Sequence, residues 1–298
     1  MSATDTAPTT TAAADEPRLA GDRRRNLRRR VAYGFLIGYA LLMFVPFAWM
    51  VLTSFKTQPD AVQFTILPDP FTIQGWQNVF TELNPNIIRL FFNSALIAGA
   101  VTLTNVALGS MAGYAFARLR FPGREVLFIL VLGTMMIPDQ LRMVPIYQMM
   151  RSVGLTVGPL QYGSVILVLA VAAVSVFLLR QYFLSIPRDL EEAAKIDGAG
   201  FFTTFGKVML PLAAPAIAAV AILQFQGAWN SFFWPLILIS DRDQWTLPLG
   251  LSIFRQQFLT IWPDLMAVSI MATLPILVLY LFFQRYFVEG IAAAGVKG

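Results

Sequence analysis

The sequence contains no cysteine and no histidine among its 298 residues. These absences exclude thiolate nucleophiles, histidine general bases and the ligands that most zinc sites use. They also exclude disulfides, so the cysteine count says nothing about the redox compartment. We therefore predict no catalytic residue and no metal or cofactor site in this chain.

Charged residues are also scarce, at 13% of the chain against 57% hydrophobic residues. A soluble domain has about a quarter charged residues, so lipid must replace much of the aqueous surface. A helix needs roughly 20 apolar residues to cross a bilayer. Uncharged runs that qualify lie at 31–55, 91–117, 159–179, 208–240 and 265–284. The pattern predicts an all-α polytopic membrane protein.

A sixth span is predicted at about 126–146, where the apolar run meets two charges. Asp139 and Arg142 are three residues apart, so a helix would place them on one face. We expect this pair near the outer end of the span or facing protein. The total is then about six transmembrane helices.

The first thirty residues are rich in Ala, Thr, Pro and Asp and end in two arginine triplets. This composition predicts a disordered basic tail at 1–30. The apolar run behind it, 31–55, is longer than the 7–15 residues typical of a signal peptide, so a retained first transmembrane helix is favoured. A nucleic-acid-binding patch is the least favoured interpretation, and we expect no nucleic-acid partner.

The distribution of lysine and arginine predicts the orientation. With the N-terminus inside, sixteen of the 22 basic residues fall in the inner segments 1–30, 118–125, 180–207 and 285–298. This bias follows the positive-inside rule. We therefore predict a multi-pass protein of the cell inner or plasma membrane with both termini cytoplasmic. The longest outer connection is the proline-rich segment 56–88, where we expect turns and short helical pieces.

The polar island between two apolar runs has a spaced motif. It begins with Glu192, Ala193 and Ala194, continues with Asp197-Gly198, and ends at Leu210-Pro211. Gly198 suits a positive φ, which predicts a short helix, a turn, and a second helix with Phe201, Phe202 and Phe205 on one face. On composition alone, a solvated loop that stays out of the bilayer is the favoured interpretation of this island.

The motif resembles the EAA signature of the membrane subunits of binding-protein-dependent ABC importers. Phe121-Pro122-Gly123, Trp229-Asn230, the run 234–236 and the Val-Lys-Gly terminus are similar to the MalG-like, carbohydrate-importing branch. The resemblance implies a permease core at 89–287, an EAA loop at 185–207 and a cytoplasmic C-terminal tail at 288–298. It also implies that the loop contains the coupling helix that contacts the ATPase.

The partners that the resemblance implies are a second, MalF-like permease subunit, two ATP-binding subunits and an extracytoplasmic solute-binding protein. ATP and Mg²⁺ would then be used by the partner ATPase. Gly206-Lys207 does not provide a nucleotide site here, because Gly200 is one residue too distant for a P-loop and Val208 replaces the hydroxyl residue.

Polar residues within apolar spans tend to face protein or a water-filled path. Gln226, Trp229 and Asn230 are close in sequence, and Asn93 lies in an earlier span. Amides and aromatic rings suit a sugar, so these four are candidates for a substrate path. The alternative is that they form interhelical hydrogen bonds or contact a partner. The GxxxG spacings at Gly34/Gly38 and Gly109/Gly113 are similarly compatible with close helix packing.

The function predicted is a permease subunit of an ATP-driven importer and not an enzyme in itself. The resemblance implies that the substrate is a sugar or a related polyol derivative. The alternative is a secondary transporter driven by an ion gradient, which needs an intramembrane carboxylate. Asp139 is the nearest candidate. A membrane-embedded hydrolase is disfavoured for want of His, Cys or a buried acid pair.

Overall fold

The computed structural model describes the backbone of residues 16–63, 65–81, 85–252 and 260–295. Side chains are described at 26, 28–63, 65–81, 85–252 and 260–283. The architecture across these ranges is helical, as the sequence predicts. The chain termini at 1–15 and 296–298, and with them the predicted Val-Lys-Gly terminus, lie outside the described residues.

The first half of the chain contains two long helices separated by short ones. Its helices are α1 (Glu16–Thr53), α2 (Gln58–Val62), α3 (Gln74–Thr81), α4 (Ile87–Arg118), α5 (Arg124–Gly133) and α6 (Asp139–Ser152). The short α2 and α3 confirm that segment 56–88 is built from turns and short helical pieces.

The second half is more broken until its last helix. Its helices are α7 (Gln161–Val168), α8 (Ala173–Ser185), α9 (Asp189–Ile196), α10 (Phe201–Thr203), α11 (Leu210–Leu212), α12 (Ala214–Trp229), α13 (Phe233–Leu238), α14 (Leu247–Leu251) and α15 (Trp262–Gly295). A π-helical segment, Thr204–Met209, joins α10 to α11. Segment 288–295, predicted as part of a tail, continues α15.

Three described helices are long and apolar enough to cross a membrane: Arg28–Thr53 within α1, Ile87–Arg118 and Trp262–Phe283. Three further candidates are pairs of helices bent by 103°, 44° and 76°: α5 with α6, α7 with α8, and the 201–212 segment with α12. Counting each bent pair as one span gives the predicted six.

Two predicted boundaries differ from the structure. The first helix begins at Glu16, so residues 16–30 are helical and not a disordered tail. Arginine and leucine are good helix formers, and Pro17 lies in the first turn, where its missing N–H is tolerated. The apolar run at 208–240 is also divided, since a bend at Ala213 separates α12 from the segment before it.

The span predicted at about 126–146 is broken into two helices, α5 and α6. The chain leaves the helix at Ile137, which has an extended conformation (φ −90°, ψ 112°) before Pro138. A proline disfavours helical geometry in the preceding residue, which explains the break. Asp139 therefore begins α6 and does not lie within a continuous helix. Asp139 and Arg142, which were predicted to share one helical face, form an ion pair.

Helix α4 is the centre of the bundle and packs against α8 and α12. A Cβ atom added at Gly113 would lie 2.9 Å from Cβ of Leu179 and 3.0 Å from the backbone nitrogen of Arg180. Gly109 likewise lies against Ser175. The second GxxxG spacing thus provides close packing within this chain, whereas Gly34 and Gly38 have no neighbouring atoms within 4 Å of such a Cβ.

A buried asparagine stabilises the break between α7 and α8. The Nδ2 of Asn105 donates to the carbonyls of Leu169 (2.7 Å) and Val101 (2.9 Å), while its Oδ1 accepts from the amide of Ala172 at 2.7 Å and from Ser175 Oγ at 3.1 Å. These bonds satisfy backbone groups that the interrupted helix leaves free, which is required where lipid surrounds the fold. Asn105 therefore forms interhelical hydrogen bonds from α4 to the break between α7 and α8.

Candidate functional site

The motif loop has the predicted local structure. Helix α9 ends at Ile196 with Asp197 as its C-cap residue, and Gly198 follows with φ of +80°. The amide of Gly198 donates to the carbonyl of Lys195 (3.0 Å), and the amide of Ala199 donates to that of Ala194 (2.9 Å). This pair of bonds is a Schellman C-terminal motif, which needs the left-handed residue that glycine supplies. The second helical segment then runs from Phe201 to Leu212.

An ion pair ties this loop to the end of α4. The Nε of Arg118 lies 2.8 Å from Oε1 of Glu191, and the two side chains are only 4% and 13% exposed. Arg118 also donates a hydrogen bond to the carbonyl of Ile186. One guanidinium at the last residue of α4 thus holds both the start of the loop and the first turn of α9. The acidic residues in that turn also complement the helix dipole.

Aromatic packing holds the second segment of the loop against α4. The ring of Tyr114 lies 5.7 Å from that of Phe201 and 5.0 Å from that of Phe205. Phe202 is 81% exposed and points elsewhere. The prediction that all three phenylalanines share one face is therefore wrong for Phe202. Residues four apart align on a helix, and their immediate neighbour lies about 100° away.

The outer side of the loop forms a continuous exposed surface. We define the loop surface as Glu192, Ala193, Ile196, Asp197 and Phe202, all of which are exposed. Ile196 is 86% exposed, which is unusual for a branched aliphatic residue on a helix that is otherwise anchored. Two large apolar side chains beside two carboxylates are suited to contact with another protein.

The remaining motif residues are divided between partly buried and exposed positions. Ala194 and Leu210 are partly buried, Gly198 and Pro211 are exposed. Leu210 packs against the buried cluster that includes Met209. The structure therefore brings Glu192, Ala193 and Asp197 to one surface and places Leu210-Pro211 at the base of the loop.

The four predicted substrate-path residues are divided into two groups. Asn93 is buried, donates to the carbonyls of Asp243 and Trp245 (both 2.9 Å), and accepts from the hydroxyl of Tyr162 (2.8 Å). Trp229 is also buried, and its Nε1 donates to the carbonyl of Ala272 at 3.0 Å. Protein contacts therefore occupy these two side chains, and their place in a substrate path stays a prediction.

The other two members of that set are accessible. Gln226 and Asn230 are exposed at the C-terminal end of α12. They are four residues apart and so lie on one face of the helix. Their role in a substrate path stays a prediction.

A cavity of about 560 Å³ lies beside α12 and was not predicted from the sequence. The bends of two of the three broken pairs, α5–α6 and α7–α8, open into it. Its polar lining residues are Thr134, Asp139, Arg142, Gln224 and Ser231. Non-helical backbone at membrane depth occurs where it is buried in protein or lines water. The sequence signals were Pro138 and the isolated amide of Gln224. Among the described residues, no group of three or more acidic side chains is arranged to hold a metal ion.

The fold and the candidate membrane-spanning helices define an all-helical polytopic membrane protein. A profile of the binding-protein-dependent transport system inner membrane component family matches residues 105–292. The chain belongs to this family. The resemblance predicted from the motif is thereby confirmed.

Curated relatives support the same family over most of the chain. The arabinooligosaccharides transport system permease protein AraQ of Halalkalibacterium halodurans is 38% identical over 88% of this chain and 95% of the relative. The trehalose/maltose transport system permease protein MalG of Thermococcus litoralis is 33% identical over 87% of this chain and 93% of the relative.

A solved structure has the same fold. It is a crystal structure of a bacterial ABC transporter involved in the import of the acidic polysaccharide alginate. The match has a TM-score of 0.76, covers 94% of this chain and 100% of that chain, and has 22% sequence identity.

Proposed function

We propose that this chain is one transmembrane subunit of an ATP-driven importer for a sugar or a related polyol derivative. The transport systems named for its relatives handle arabinooligosaccharides and trehalose or maltose. The partners proposed are a second permease subunit, two ATP-binding subunits and an extracytoplasmic solute-binding protein. The chain itself binds no cofactor, and ATP and Mg²⁺ belong to the partner ATPase.

The observation that best supports coupling is the anchored yet exposed loop. Its inner side is fixed to α4 by Arg118 and Glu191, while Ile196 and Phe202 on its outer side lack cover in this chain. Displacement of the loop surface by a partner would be transmitted through Arg118 to α4. Because α4 packs against α8 and α12, this movement would reach the cavity beside α12.

Gly206-Lys207 is consistent with an ATPase on another chain. Both residues lie in the π-helical segment Thr204–Met209. A P-loop instead presents successive backbone amides to phosphate from a loop between a strand and a helix. ATP hydrolysis is therefore assigned to the partner.

The proposed orientation places the loop surface and both termini in the cytoplasm. It rests on the excess of lysine and arginine in segments on that side. This orientation would put the loop beside a cytoplasmic ATPase and segment 56–88 beside an extracytoplasmic binding protein.

The ion-gradient alternative is less well supported. Asp139, the carboxylate it would use, is paired with Arg142. The carboxylate is thus already engaged by a cation of its own helix. Uptake that survives collapse of ion gradients but stops when cellular ATP is depleted would support the importer, and the reverse result would support the alternative.

The docking role is tested by a matched pair of isoleucines. Ile196 on the loop surface and Ile66 in segment 56–88 are 86% and 72% exposed. A carboxylate at position 196 would be desolvated by an apolar contact, so Ile196→Asp should abolish co-purification of the ATPase in mild detergent. Ile66→Asp should leave it intact. Equal retention of the ATPase by both variants would contradict the proposal.

A further inference from the structure

An arginine-rich hollow lies where α5 begins. It is open, has a volume of about 910 Å³, and is lined by three arginines and one carboxylate: Arg120, Arg124, Arg188 and Glu125. Glu125 is already engaged, since Arg124 lies 2.7 Å and Arg180 lies 3.2 Å from its carboxylate oxygens. Among the described residues, no carboxylate is within ion-pair distance of Arg120 or Arg188. The hollow therefore has a net positive charge that the surrounding protein does not neutralise.

An exposed apolar helix face continues directly from this hollow. Val126, which lines the hollow, is 63% exposed, and Ile129 and Leu130 are 65% and 62% exposed. These residues are three and four positions apart, so they form one stripe along α5. The charged hollow and the apolar stripe are thus adjacent parts of one surface.

We propose that this surface binds an anionic phospholipid. The headgroup phosphate would lie between Arg120 and Arg188, and an acyl chain would lie along Val126, Ile129 and Leu130. Guanidinium groups bind phosphate through short charge-assisted hydrogen bonds. Basic pockets on the cytoplasmic side of membrane proteins suit anionic headgroups.

The apolar stripe favours a lipid over a soluble phosphate. A small anion would use the arginines alone and would leave α5 uncovered. The inference rests on the proposed function in one respect. The proposed orientation makes the cytoplasmic leaflet the source of the lipid. Since Arg188 directly precedes α9, a lipid bound here would also connect the start of α5 to the motif loop.

The test uses the full-length protein in nanodiscs of mixed phosphatidylglycerol and phosphatidylcholine. Native mass spectrometry of the released protein gives the selectivity for the anionic lipid among the retained molecules. Each arginine near an anionic headgroup is worth about five-fold in affinity, so Arg120→Gln and Arg188→Gln should each lower the selectivity about five-fold, and together about 25-fold. Arg151→Gln, at an exposed arginine in the last turn of α6, is the matched control and should change nothing.

Three results would overturn the proposal. They are unchanged selectivity in the double variant, equal retention of both lipids by the wild type, and displacement of phosphatidylglycerol by soluble glycerol phosphate at equal concentration. The measurement needs neither ATP nor a transported substrate, so its failure is distinguishable from failure of the importer assignment.

Discussion

The Nε of Arg118 lies 2.8 Å from Oε1 of Glu191, and this contact joins the last residue of a membrane-spanning helix to the first turn of α9. Both partners are largely buried, and the same arginine bonds to the carbonyl of Ile186. Loss of one partner would leave a desolvated charge and would loosen the loop at two points. The contact is therefore the proposed mechanical link between the loop surface and the bundle.

Removing this ion pair should lower stability more than removing an exposed one. Breaking a buried pair from one side costs about 3–5 kcal/mol, whereas exposed pairs contribute about 0–1 kcal/mol. We expect Arg118→Ala or Glu191→Ala to lower the thermal stability of the purified protein markedly. Arg89→Ala, which breaks an exposed 3.0 Å pair with Asp243, is the control. Similar melting temperatures for the Arg118 and Arg89 variants would contradict the anchoring role.

Close packing of α4 on α8 predicts opposite effects for two glycines of the same helix. Gly113→Ala would place Cβ 2.9 Å from Cβ of Leu179, and overpacking of this kind costs about 1–3 kcal/mol. Gly99 has no neighbour within 4 Å of an added Cβ, so Gly99→Ala should be neutral or stabilising by up to about 1 kcal/mol. Thermal melts in detergent compare the two variants. A gain in stability for both would show that the helices are further apart than described.

A polar cluster in segment 56–88 predicts a pH-dependent contribution to stability. The hydrogen bond from Thr65 holds the pKa of Asp60 below its ordinary value of 3.8 despite burial, with help from the amide of Asp69 and the charge of Lys56. The lowered pKa means that the ionised carboxylate stabilises the folded state at pH values above 3.8. This contribution to stability is lost as the pH falls below 3.8.

Asp60→Asn should therefore melt at a lower temperature than the wild type at pH 7, and the difference should shrink as the pH falls below 3.8. Asp69→Asn is the matched control in the same segment, because the cluster uses the backbone amide of Asp69 and not its side chain. A difference between Asp60→Asn and the wild type that is constant with pH would contradict the role of the carboxylate charge.

The absence of cysteine makes the proposed orientation directly testable. Single cysteines at Glu192 and at Asp243 should react from opposite sides of sealed cells, with position 243 labelled by an impermeant reagent and position 192 protected until lysis. Glu192 is exposed, and the side chain of Asp243 is half-exposed. Labelling of position 192 in sealed cells would contradict a cytoplasmic loop.

The sequence predicts features that depend on local chemistry. The turn at Gly198 follows from its place after a short amphipathic run, and the Asp139–Arg142 pair follows from helical spacing. The family follows from the spacing of the motif. Each of these needs only residues within about twenty positions of one another.

Features that depend on distant contacts were missed. Asn93 looks like a pore residue in sequence, but its partners are the carbonyls of Asp243 and Trp245, about 150 positions away. Lys56 counts as an outer-loop charge, yet it is buried against Thr65 and lies 4.8 Å from the ring centroid of Trp49. The break at Ile137 is the exception. This break has a local cause, Pro138, but the apolar character of the run led to the prediction of a span through it.

The central claim is that the loop surface couples the ATPase to the pore, and two glycines with similar backbone conformations test it most directly. Gly198 and Gly154 have φ values of +80° and +75°, and an added Cβ meets no atom within 4 Å at either position. Valine adopts such angles poorly, so both substitutions strain a turn to a similar degree. Only Gly198 lies in the motif loop.

The measurement is substrate-stimulated ATP hydrolysis and uptake by the complete complex reconstituted in liposomes. Gly198→Val, and the charge reversal Glu192→Lys on the same surface, should lower both activities together by at least ten-fold. The permease should remain inserted, and the binding protein should retain its substrate affinity. Gly154→Val should keep both activities near the wild-type level. Normal uptake and normal ATPase stimulation in Gly198→Val and Glu192→Lys would contradict the coupling role of the loop.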